Sequence, residues 1–88
     1  MIFRWNQWNI EHIAEHGVSP EEAEWVIEHA KPPYPQLREE DKWRIVGRGH
    51  AARWLQVIFI IDPVGTVYVI HARPLTEREK KRERRRTR

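Results

Sequence analysis

Cysteine is absent from the 88-residue chain, which excludes disulfide staples, thiolate nucleophiles and cysteine-ligated zinc. A long apolar run is missing too: the longest, Val57 to Ile61, is far too short to span a membrane. The start, Met1-Ile2-Phe3-Arg4-Trp5, passes directly into polar residues and lacks the apolar core of a secretory leader. No glycine-rich phosphate loop, serine triad or paired-carboxylate site can be found. The expectation is a single domain over residues 1–88, without membrane contact and suited to the cytoplasm. A chain this short buries only about 60% of its unfolded surface, so its core must be tight.

Charge is present in quantity but unevenly placed. Residues 73–88 hold nine Lys/Arg against three Glu, whereas residues 1–72 hold seven against ten Asp/Glu. A mildly acidic body therefore carries a strongly basic end, a pattern that attracts polyanions or acidic protein surfaces.

Local signals divide the chain into a β-α-α-β-β-β-α order. Ile2, Phe3 and Trp5 read as a short strand. Asn6 or Asn9 caps a helix whose apolar stripe is Ile10, Ile13 and Ala14, and Gly17 ends it. Ser19-Pro20-Glu21-Glu22 opens a second helix, with Glu22 placed to close a capping box. Pro32-Pro33 stops it and Pro35 keeps the next stretch extended. Three strands follow, Trp43–Arg48, Arg53–Ile61 and Thr66–Arg73, the last two joined by the turn Asp62-Pro63-Val64-Gly65. Leu75 to about Arg85 forms a last helix capped by Thr76 and Glu79, and residues from about 83 to 88 read as a disordered basic tail. The fold class is α+β: a small, mainly antiparallel sheet with both N-terminal helices on one face.

A symmetric turn sets Leu55 opposite Ala72, Val57 opposite Ile70 and Phe59 opposite Tyr68. These residues form the apolar face that must meet the helices. The other face carries Trp54 and Gln56 beside His71 and Arg73, with Ile58, Ile60, Val67 and Val69 further along; burying Trp43 and Ile45 adds Arg44 and Arg48 to it. Imidazole, guanidinium and indole on one face suit RNA: Arg binds phosphate, Trp stacks on bases, and His exchanges protons near neutral pH. Cleavage by RNA's own 2′-hydroxyl needs only a proton acceptor, a proton donor and charge stabilisation. His71 is the candidate for proton exchange, and Arg53 and Arg73 for charge stabilisation. The plainer role for His71 is a half-buried strand residue bonded to a carbonyl. His12 and His16 have a metal-compatible i, i+4 spacing but no evident third ligand, and His16 beside Gly17 more simply bonds the free carbonyls of the helix end. No metal or cofactor is therefore expected. Arg78, Lys81, Arg82 and Arg85 recur at helical spacing as one basic stripe for RNA or a partner.

Phe3-Arg4-Trp5, His16-Gly17-Val18-Ser19 with Glu21-Glu22-Ala23, Arg53-x-Leu55-x-Val57, Ile70-His71-Ala72-Arg73 and Thr76-x-Arg78-Glu79 stand in one order over residues 2–82. Together they resemble the BrnT toxins. The resemblance implies a RelE/ParE-like fold, metal-independent endoribonuclease activity in a type II toxin–antitoxin system, and inhibition by a ribbon-helix-helix antitoxin, BrnA. It implies DNA contact only through the antitoxin complex. Arg53 and Arg73 fall on its motif positions; His71 does not. The competing readings are a non-catalytic RNA- or protein-binding module of the same fold, and a DNA-binding regulator. The acidic helix from Pro20 to His29 argues against the latter, because it repels phosphate.

Overall fold

The computed structural model describes residues 1–86. Helices α1 (Gln7–Ala14) and α2 (Pro20–Glu28) are followed by strands β1 (Gln36–Leu37), β2 (Trp43–Arg48), β3 (Trp54–Ile61) and β4 (Val67–Pro74), then helix α3 (Glu77–Arg86). The strands form one antiparallel sheet in the order β1-β2-β3-β4. The chain is thus α+β, and no helix among the described residues is long and apolar enough to cross a membrane.

Capping chemistry sets the helix starts. Asn6 accepts from the Asn9 backbone N–H at 3.1 Å and Asn9 returns a bond to the Asn6 N–H at 2.8 Å, so the two asparagines act as a reciprocal pair. The Asn9 side chain also donates to the Arg4 and Val69 carbonyls, both at 3.1 Å. A fully buried amide thereby satisfies the open edge of β4 and ties α1 to it. Ser19 caps α2 by accepting from the Glu22 N–H. The expected return bond from Glu22 is replaced by an ion pair with Arg53, because a buried carboxylate gains more from a charged partner than from a neutral amide. Thr76 and Glu79 do form their box, at 3.2 and 2.8 Å.

The N-terminal strand reduces to a single parallel bridge between Phe3 and Val67. A short strand not expected from the sequence, β1, pairs with β2 instead. The supposed disordered tail is helical to Arg86, and Glu83 within it is buried; residues 87–88 lie outside the described part.

The β3–β4 register departs from the symmetric pairing twice. Asp62 holds Thr66 through its backbone and its carboxylate, so the loop contains three residues rather than two. Phe59 then pairs with Val69, and a bulge leaves Ile70 without a partner before His71 pairs with Ile58 and Ala72 with Val57. Val67 and Val69, expected on the outer face, are buried with Leu55, Val57 and Phe59; Tyr68 and Ile70, expected inside, are only partly buried. Beyond the bulge the expected sides hold.

The core joins Ile13, Val18, Ala23, Val26 and Ile27 of the helical half to Ile45, Leu55, Val57, Phe59, Val69 and Ala72 of the sheet. α2 lies against β2 and β3, and α1 against β4. Helix α2 comes close at Gly47, where an added methyl would meet Val26 at 3.5 Å. Phe59→Ala is expected to destabilise the fold by about 3–5 kcal/mol, as for a buried aromatic ring. Chemical denaturation checks this, and a loss below about 1 kcal/mol would place the ring outside the core.

Candidate functional site

Strand alternation and the β2–β3–β4 register assemble the outer face. Arg44, Ile58 and His71 form one cross-strand row; Val46, Gln56 and Arg73 form the next; Arg48 and Trp54 form the third. Arg44 donates to Gln56 at 2.7 Å, and the Arg48 guanidinium lies 4.9 Å over the Trp54 ring. Ten of the eleven candidate residues are thus gathered on this face (Arg44, Arg48, Trp54, Gln56, His71 and Arg73) or on the helix beside it (Arg78, Lys81, Arg82 and Arg85).

That helix is α3, and polar contacts hold it. Glu79 receives both Arg73 nitrogens at 2.8 and 2.9 Å, and Tyr34 donates to Glu83 at 2.6 Å. Arg73 and the Thr76 backbone hold the Glu79 carboxyl down at about 2. Burial pushes Glu83 upward, but bonds from Arg86 and Tyr34 outweigh it and leave its pKa lowered. Two clefts flank the helix. One, of about 690 Å³, is lined by His29, Lys31, Tyr34, Arg48, Trp54 and Arg86 among others. The other, of about 220 Å³, brings Arg38, Arg44 and Arg82 together with Glu79 and Glu83. Arg78, Lys81, Arg82 and Arg85 are exposed as one stripe.

Arg53 departs from the expected site. Its odd position puts it on the side of Leu55, facing the helices, where it forks onto buried Glu22 at 3.0 and 2.7 Å and donates to the Gly17 carbonyl. These bonds raise the Arg53 pKa and lower that of Glu22. Arg53 therefore performs the helix-end capping expected of His16, whose ring lies edge-on to His71 with centroids 5.4 Å apart.

His71 is half-buried, and its ring makes no hydrogen bond among the described residues, unlike the carbonyl-bonded strand histidine of the plainer reading. The His12 ring lies 6.0 Å away on its other flank. Burial lowers the His71 pKa, and the positive charges of His16, Arg73 and His12 lower it further. The lowered pKa favours the neutral imidazole, the form able to accept a proton. The pairing of His12 and His16 with His71 was missed from sequence; its signal is the i, i+4 stripe running beside buried Ile13. Among the described residues no group of three His, Asp or Glu side chains is placed to hold a metal ion. His29, Lys31, Tyr34 and Arg86 were missed as well: Lys31 and Tyr34 come from a segment without a periodic pattern, and His29 and Arg86 stand at helix ends.

No protein-family model, curated protein or solved structure shows a significant match to this chain.

Because the Glu79 pKa is depressed from 4.5 to about 2, its stabilisation of α3 is complete above pH 4.5. That stabilisation is lost progressively as the pH falls toward 2. Glu79→Gln should reproduce the loss at neutral pH, removing a cap and an ion pair together. Amide hydrogen-exchange protection factors, referred to the intrinsic rate at each pH, should fall several-fold at Lys80 and its neighbours in the variant and at pH 3 while β3 stays protected. Unchanged exchange would mean that α3 is held by other contacts.

Proposed function

We propose that this chain is a toxin-type endoribonuclease that cleaves single-stranded RNA using the RNA's own 2′-hydroxyl. The observation that carries this reading is the half-buried imidazole of His71, without a hydrogen-bond partner among the described residues, set in a face of arginines and indole. In this reading His71 takes the 2′-hydroxyl proton, the 2′-oxygen attacks phosphorus, and the 5′-oxygen leaves with a proton returned by an imidazolium. Arg44, which donates to the neutral Gln56 amide and lies within electrostatic reach of Glu83, is in the His71 row about 10 Å across two strand spacings. It supplies positive charge to the phosphorane or to the neighbouring phosphate. Arg73 is neutralised by Glu79 and contributes positive charge only where a phosphate displaces that carboxylate. Arg53 has no part in the chemistry. The resemblance to BrnT toxins supports the same activity, a RelE/ParE-like fold, action in the cytoplasm, and control by a ribbon-helix-helix antitoxin that alone contacts DNA. The exposed stripe of Arg78, Lys81, Arg82 and Arg85 meets RNA phosphates or an acidic antitoxin segment.

One observation favours the second reading, a non-catalytic binding module: both arginines on the motif positions, Arg53 and Arg73, are already paired with carboxylates.

Purified protein incubated with RNA in EDTA separates the two. The expected products carry a 2′,3′-cyclic phosphate or a 3′-phosphate, and His71→Ala should lower the rate about 10²–10⁴-fold. Binding without cleavage across varied RNAs would establish the module instead.

For the α3 stripe, changing its four cations to Gln should flatten the slope of log affinity against log salt by up to about 3, at roughly 0.7 per phosphate contact on single strands. An unaltered slope together with weakened antitoxin binding would give the stripe to the protein partner.

A further inference from the structure

Along the outer edge where α1 meets β4, aromatic and cationic groups follow one another in a continuous series of ring contacts. The Arg4 guanidinium lies 4.0 Å over the Tyr68 ring. Tyr68 and Trp8 are nearly parallel, at 16° with centroids 6.4 Å apart. Trp8 and His12 are closer still to parallel, at 10° and 4.8 Å. His12 then leads to His71, and His71 to His16. The tyrosine is held in place, because its hydroxyl donates to Asn6 and Arg4 is itself tied to Asp62. Trp8 is 54% exposed. It takes no part in the hydrophobic core, and its indole N–H has no partner among the described residues. Core packing therefore does not explain an indole set between two rings at this position.

We propose that Trp8 and Tyr68 form a stacking platform for unpaired RNA bases, which delivers the adjoining phosphate to the histidines His12, His16 and His71. The inference rests on the RNA reading above and adds to it the substrate's path and its single-stranded requirement. Stacking platforms for single strands combine exposed aromatic rings with a cationic track. Here the rings are bordered by Arg4 at one end and by three imidazoles and Arg73 at the other. Two nearby carboxylates are engaged: Asp62 is held by Arg4 and Thr66, and Glu11 accepts from Gln7. The series ends on ionisable rings rather than on further apolar surface, which fits a polyanion with planar bases better than an apolar protein segment. Bases within a duplex are already stacked on one another and leave no face for Trp8.

The platform is tested with a 2′-O-methyl oligoribonucleotide, which lacks the attacking hydroxyl and so reads binding alone. Trp8→Ala should weaken its binding by about tenfold or more, in line with base–aromatic stacking energies, and Trp8→Phe should restore most of the affinity. Binding of a duplex of the same sequence should not respond to either change. A thermal melt confirms that the exposed substitution leaves the fold intact. Equal affinity of wild type and Trp8→Ala overturns the platform, whatever the cleavage result, and so does failure of the wild type to bind single strands. If Trp8→Ala loses affinity for the antitoxin but not for the oligonucleotide, the surface belongs to a protein partner and the proposal fails. Trp8-dependent binding without cleavage of unmodified RNA keeps the platform and removes the nuclease reading.

Discussion

One unpaired residue in β4 decides which side chains this protein shows to its surroundings. With Ile70 bulged out, Val67, Val69 and Ala72 all reach the core although their numbers do not share a parity. A strand without the bulge buries either the two valines or the alanine, and the latter arrangement alone leaves His71 and Arg73 outside. The bulge therefore satisfies the core at both ends of the strand while keeping the imidazole and guanidinium on the outer face. It also allows Tyr68 to meet Trp8 of α1 rather than the interior.

The second organising feature is the use of charge where a small domain has little apolar surface to spend. Glu22 and Glu83 are buried, and each has a cation within reach. The Glu22–Arg53 pair links α2 to the start of β3, and its Gly17 contact ties in the end of α1. An added methyl at Gly49 would stand 2.6 Å from the Glu22 carboxylate, so the backbone there is glycine to leave room for the pair. Removing one partner of such a buried pair strands the other charge, which is why these contacts specify geometry strongly even where their net contribution is modest.

Much of this was readable from residue order. Ser19-Pro20, the Thr76/Glu79 box and the apolar alternation of Leu55, Val57 and Phe59 are local signals, and local physics determines them. The outer-face positions of Trp54, Gln56, His71 and Arg73 followed from alternation too, and those of Arg44 and Arg48 from a register chosen to bury Trp43 and Ile45. The placement of Val67, Val69, Tyr68 and Ile70 did not. A bulge and a three-residue loop arise from contacts between strands, such as Asp62 with Thr66, that no single strand announces. Arg53 was misplaced for a different reason: its parity with Leu55 pointed to the helices, but its charge suggested the open face. The approach of His12 and His16 to His71 depends on how α1 is seated, and that seat is set by Asn9 bonding to Val69, a contact sixty positions apart in sequence.

Helix α3 contains no apolar side chain between Glu77 and Arg86, and it faces the sheet with Glu79 and Glu83. Arg73 is consequently met before any ligand arrives, by a carboxylate carried on the protein's own chain. Binding of a phosphate by Arg73 is then an exchange of one anion for another. Its free energy is the difference between two fork-like contacts, far smaller than either contact alone. Such an internal counterion weakens capture of stray anions and leaves selection to groups that an isolated phosphate cannot engage, among them planar bases.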